Sequence, residues 1–158
     1  MSGTEYIDAA LLARLGEAAR ESPRRRRNHN FHRSDAAPAN RLLNAVEPGS
    51  YIAPHRHLDP SKDETFVVLR GSFVLVLFDD AGGVTDARVL RAGGETLGAT
   101  VPAGTFHTLV ALESGSVILE AKAGPYRPLT DEERAPWAPR EGDPEAAAYL
   151  ERLAASVG

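Results

Sequence analysis

Four residues have the types and spacing to hold one metal ion. His55 and His57 stand two positions apart in PHRHLDPSKDETF, residues 54–66, and Glu64 closes that stretch. His107 lies far downstream in VPAGTFHTLV. Side chains alternate faces along an extended chain, so His55 and His57 point the same way, roughly 6.5–7 Å apart along the backbone. Imidazoles so placed can converge on one ion at about 2.0–2.1 Å per nitrogen. The same parity sets Tyr51 on the histidine face, Phe66 and Val68 beside Glu64, and Leu109 and Ala111 beside His107. These residues form an expected substrate-lining wall, mostly apolar, in which Tyr51 is the only further acid or base. Three imidazoles and a carboxylate fill four positions of a six-coordinate ion, leaving two for substrate, water or dioxygen. The competing reading is a polar turn that merely contains histidines. Against it, four such groups inside a small β-domain are costly without a shared partner.

The chain of 158 residues has no cysteine, which removes disulfides, thiolate ligands and cysteine nucleophiles together. Nitrogen and oxygen donors admit one divalent transition ion: iron, manganese, nickel, zinc, cobalt or copper. Magnesium and calcium are disfavoured, because they take oxygen ligands. The formal net charge of −4 argues against a nucleic-acid partner. The N-terminal stretch lacks a basic start followed by an apolar run, and no segment approaches the ~20 apolar residues of a membrane helix. A cytoplasmic protein without membrane or nucleic-acid partners is therefore expected.

Other polar groups are open to two readings. RRRRNHNFH, residues 24–32, reads as a solvated basic connector, as an edge strand pairing with the β-domain, or as an anion site. In the last case Arg26, Asn28, Asn30 or His32 would hold a phosphate or carboxylate through forked hydrogen bonds. His29 and His32 read better as surface groups or substrate contacts than as ligands. Asp79 and Asp80 belong to the turn DDAGG, where aspartates are ordinary. The chain contains no G-x-S-x-G, P-loop or dinucleotide fingerprint.

The elements that must position these groups follow from periodicity. Residues 8–21 form an expected helix capped by Asp8, with Leu11, Leu12, Leu15, Ala18 and Ala19 on one face, ended by Ser22-Pro23. From residue 41, eight short runs alternate with turn chemistry: RLLNAVE, SYIAPHRH, TFVVLR, SFVLVLF, ARVLR, ETLGATVP, FHTLVALE and SVILEAKA. That texture predicts an antiparallel sandwich or barrel, with DDAGGV as its clearest hairpin. A proline-rich tail then leads to a helix over 144–156, with Asp143 as N-cap and Pro144 at its first position. The expected organisation is an N-terminal helix and basic connector (1–40), a β-domain (41–128) and a tail with a helix (129–158).

Gly49, His55, His57, Glu64 and Gly71 resemble the first cupin motif, G-x5-H-x-H-x3,4-E-x6-G, and Pro102, Gly104 and His107 resemble the P-x-G-x-x-H of the second. Six residues separate His57 from Glu64 where the motif has three or four, which leaves Asp63 as a substitute ligand. The closing asparagine of the second motif is Ala111. SPRRRRNHNFH, RLLNAVEPGSYIAPHRH, KDETFVVLRGSFVLVLFDDAG and PAGTFHTLVALESGSVILEAKAGPY are similar to the WbuC family of cupin-fold metalloproteins, over residues 7–128. The resemblance implies an all-β double-stranded β-helix (jelly-roll) barrel with helical ends. It also implies metal ligation by His55, His57, Glu64 and His107, a homodimer, and a link to O-antigen or other surface-polysaccharide genes. The expected function is a metal-dependent enzyme on a small polar, sugar-derived or anionic metabolite, of dioxygenase type with iron and isomerase or epimerase type otherwise. A non-catalytic carbohydrate-binding module and a structural dimer are the alternatives.

Overall fold

The computed structural model describes residues 3–157. Helix α1 (Ala9–Glu21) starts where expected: the Asp8 carboxylate accepts a hydrogen bond from the Leu11 amide at 2.9 Å. It stops at Ser22, whose extended backbone precedes Pro23. Among the described residues eight strands follow: β1 (Arg26–Asn30), β2 (Ala39–Val46), β3 (Glu64–Arg70), β4 (Ser72–Phe78), β5 (Val84–Arg91), β6 (Gly98–Val101), β7 (Phe106–Ala111) and β8 (Ser116–Ala123). A five-stranded sheet in the order β1-β2-β8-β3-β6 faces a three-stranded sheet ordered β5-β4-β7, with antiparallel pairing throughout. This is the expected cupin jelly roll.

Two expectations need correction. SYIAPHRH is not a strand: residues 47–63 run irregularly and pair with β7 through the backbone only at an isolated bridge at His55. The eighth strand is instead β1, drawn from the arginine-rich stretch and paired with β2 at the edge of the larger sheet, from Arg26↔Val46 to Asn30↔Leu42. The last helix, α2, is also shorter, Ala146–Ala154, and no side chain caps it. Asp143 is committed to the preceding turn, where its carboxylate accepts from the Arg140 amide at 2.8 Å.

A single residue, Gly71, separates β3 in one sheet from β4 in the other. It has a φ of +73°, and a Cβ there would run into the Ser116 side chain, so glycine is required both for the backbone and for space. The β4–β5 hairpin turns as expected. The Asp79 carboxylate accepts from the Ala81 and Gly83 amides, and Gly82 supplies a φ of +93°.

Apolar packing is divided among three layers. Between the sheets lie Phe66, Val68, Phe73, Leu75, Leu90, Leu109, Ala111 and Ile118. Outside the larger sheet, Leu11, Leu15 and Ala19 of α1 cover Leu43, Ala45 and Val117. Outside the smaller sheet, Leu150 and Leu153 of α2 cover Val74, Val76 and Val110 with the help of the tail. Both sheets are therefore covered on both faces, and the space between them is apolar at one end only.

Candidate metal centre

The histidines are placed by the backbone before any side-chain interaction. His55 and His107 exchange two amide–carbonyl hydrogen bonds, of 3.1 and 2.9 Å, which locks two histidines 52 positions apart into a cross-strand pair. The Gly104 amide donates to the His57 carbonyl at 2.7 Å, so the P-x-G turn of the second motif pins the loop of the first. Glu64 is the first residue of β3 and pairs with Val101 of β6, just before that turn. The long connection from His57 to Glu64 is absorbed by a turn at Asp59, whose carboxylate accepts from the Ser61 amide and whose carbonyl accepts from the Lys62 amide. Asp63 points outward and accepts from the Ala103 amide at 2.8 Å. Glu64 is buried.

Donor atoms of His55, His57 and Glu64 lie within 4.8 Å of one another. Nε2 of His107 lies 3.5 Å from Oε1 of Glu64, and Nε2 of His57 stands against the same oxygen. The imidazoles of His55 and His107 are each oriented by an Nδ1–H donated to a carbonyl, of Ala53 at 3.0 Å and of Thr105 at 2.9 Å. That arrangement fixes the tautomer with Nε2 unprotonated, the form a metal takes. His57, Glu64 and His107 are all less than 10% exposed, yet Nε2 of His57, Oε1 of Glu64 and Nε2 of His107 have no hydrogen-bond partner among the described residues. Buried polar atoms without partners are expensive. One cation among them satisfies all three, and the donor set suits a first-row divalent ion.

The electrostatics agree with that fit. Burial, reinforced by the neighbouring His107, lowers His55 to about 3, so it is a neutral imidazole.

The cluster lies in the wall of a cavity of about 610 Å³. Ile52, Phe66 and Leu109 give this cavity an apolar side, and Asn28, Asn44, Glu120 and Lys122 a polar one. A second cavity of about 550 Å³ shares His55, Ile52, Arg24 and Arg26 with the first and is bounded by the tail from Leu129 to Glu141. Glu141 fastens that tail by ion pairs to Arg24 at 2.8 Å and Arg26 at 2.6 Å.

Of the residues expected to line a substrate site, Phe66, Leu109, Arg26 and Asn28 border the cavity. Val68 and Ala111 lie in the core between the sheets. Tyr51 packs against Tyr149 in the α2 layer, and its hydroxyl donates to the Pro139 carbonyl at 2.7 Å. Asn30 is exposed at the end of β1, and the His32 ring is bonded to the Arg41 backbone at 3.2 Å. Arg26 is tied to Ser50, the Tyr51 carbonyl and Glu141. Asn44, Glu120 and Lys122 were not singled out from the sequence. On β8 the alternation places Glu120 and Lys122 on the face of Ile118, but nothing in the sequence marks that face as the inner one.

No curated protein matches the chain. Solved structures that it resembles are TT1209 from Thermus thermophilus (23% identity, TM-score 0.54, covering 77% of this chain and 98% of that one) and KdgF from Halomonas sp. (22%, 0.50, 65% and 80%). Another is oxalate oxidase in complex with the substrate analogue glycolate (17%, 0.50, 66% and 53%). At these identities the likeness is one of fold. A family model matches residues 7–90, more than half of the chain, and the protein therefore belongs to the family described as a domain of unknown function, DUF6016.

Proposed function

We propose that the protein is a metal-dependent enzyme in which His55, His57, Glu64 and His107 hold one divalent first-row ion and a small polar, sugar-derived metabolite binds in the adjoining cavity. The observation that carries this reading is the trio of buried, unpartnered atoms on His57, Glu64 and His107, facing one another beside that cavity. Such an ion would act as a Lewis acid or activate water or dioxygen. The chain's own residues hold the His55 and His107 imidazoles in their ligating tautomer through Ala53 and Thr105 and give the adjoining cavity an apolar side at Ile52, Phe66 and Leu109. An oxidase of the same fold, solved with a substrate analogue, supports an enzyme rather than a purely structural site. The finer similarity to the WbuC family, with its homodimer and its surface-polysaccharide link, rests on the sequence segments quoted above. No helix among the described residues is long and apolar enough to cross a membrane.

The test is elemental analysis of protein purified without chelator or affinity metal, followed by turnover assays on sugar-derived metabolites with the ion so identified. About one transition ion per chain is expected. Iron would direct the assay to oxygen consumption, and zinc, manganese or nickel to isomerisation or epimerisation. A chain that neither retains nor takes up any of the six candidate ions refutes the proposal.

A further inference from the structure

The polar side of the cavity is built from residues that the ligand cluster does not use. Asn28 of β1 pairs with Asn44 of β2, and Glu120 of β8 pairs with both Leu42 of β2 and Phe66 of β3. Lys122, two positions on, lies on the same face of β8 as Glu120. These side chains form a row on the inner face of the larger sheet, where a jelly roll ordinarily continues its apolar core.

Three features of the row point to a ligand. Asn44 is 7% exposed, borders the cavity, and has an Oδ1 without a hydrogen-bond partner among the described residues. Lys122 makes no ion pair among the described residues, yet it is near enough for its charge to act on Glu64 and Glu120. The other cations nearby are differently engaged: Arg24 and Arg26 are spent on Glu141, and Arg27 lies at the exposed rim. An ammonium without an ion pair beside the unpaired Asn44 Oδ1 calls for a ligand with both an anionic group and hydroxyl donors.

We infer that Asn28, Asn44, Glu120 and Lys122 are the substrate-recognition wall of this site, and that it takes a small hydroxy-carboxylate, with the carboxylate at Lys122 and the hydroxyls at Asn44 and Glu120. Phosphate is a poorer match. The forked guanidinium donors that suit it are closed by Glu141, and Glu120 stands where a dianion would be repelled. A neutral sugar offers no anionic group to the Lys122 ammonium. A volume of about 610 Å³ suits a small metabolite rather than a polymer.

The inference rests on the metal-site reading for its neighbour but is tested apart from it. Glycerate and glycerol, which differ in charge at equal carbon count, are titrated calorimetrically into the full chain after reconstitution with the ion found by elemental analysis. Glycerate is expected to bind at least tenfold more tightly than glycerol. Lys122→Met is expected to weaken glycerate by about tenfold or more at unchanged metal content, and Lys122→Arg to recover most of the loss. Equal affinities for glycerate and glycerol, or wild-type glycerate binding by Lys122→Met, would overturn the inference. Metal content is measured on the same samples. A chain without metal that still binds glycerate through Lys122 would sink the metal reading and sustain this one.

Discussion

Chelation is the sharpest perturbation of the proposed metal centre, and its cost can be worked from the buried atoms. Removal would leave Nε2 of His57, Oε1 of Glu64 and Nε2 of His107 enclosed without partners. At about 1–3 kcal/mol for each unpaired buried group, the native state loses about 3–9 kcal/mol before it relaxes or admits water. Mass action gives a figure on the same scale: an ion at 1,000 times its Kd stabilises by about 4 kcal/mol. For a chain of 158 residues the unfolding entropy near the midpoint is about 330 cal/mol/K, so ~4 kcal/mol corresponds to a Tm change of about 12 °C. Scanning calorimetry of chelated protein, with and without each of the six candidate ions, measures this directly. The same titration on His57→Ala should show almost no shift, because one of the three atoms and one ligand are gone. A shift below about 2 °C with every ion, or an undiminished shift in His57→Ala, would refute the argument that unsatisfied buried atoms mark a metal site.

Glu64→Ala should reduce metal retention at least tenfold by elemental analysis, whereas Asp63→Ala should leave it unchanged, since Asp63 is exposed and bonded to the Ala103 amide. Arg26→Met should cost about 2 kcal/mol in urea unfolding and Arg27→Met almost nothing, because only Arg26 ties Ser50, the Tyr51 carbonyl and Glu141 together. Burial, with the nearby charge of Glu64, pushes the Glu120 carboxyl up to about 7 from its ordinary 4.5. In metal-free protein, then, the unfolded chain ionises first as pH rises, and native stability falls between those values by about 3 kcal/mol. Glu120→Gln should remove that component, making the variant relatively more stable at pH 8 than at pH 5; parallel unfolding curves at both pH values would show that the carboxyl titrates normally.

The ligand spacing was legible because covalent geometry carries it. Residues 51–58 are not a strand, but the bridge of His55 to His107 and the bond from the Gly104 amide to the His57 carbonyl hold both rings on one side, as the alternation predicts. The strand with a long apolar run, β4, was equally plain, as was α1, whose cap and stripe agree. β1 was harder to see. Its residues RRNHN have no apolar face, and only pairing with β2 makes them a strand. Tyr51 was placed with the histidines by parity, but parity fails once a chain leaves the sheet. Its ring faces Tyr149 and its hydroxyl bonds to Pro139 instead.

The polar wall was missed for a more general reason. Alternation tells inside from outside only when one face of a strand meets water. On β8 the outward residues Val117 and Leu119 are apolar because α1 covers them, while the inward Glu120 and Lys122 are polar because they line a cavity. Read alone, SVILEAKA gives the opposite assignment, with its charges toward solvent. The inversion is also what allows one small sandwich to hold both a core and a site. Phe73, Leu75, Leu90 and Ile118 close one end of the space between the sheets. The packing lost at the other end is replaced outside the sheets by the layers of α1 and α2. Shortening either helix should therefore weaken the centre without touching a ligand. The helices supply the apolar burial that the inner faces have given up to His107, Glu64, Asn44, Glu120 and Lys122.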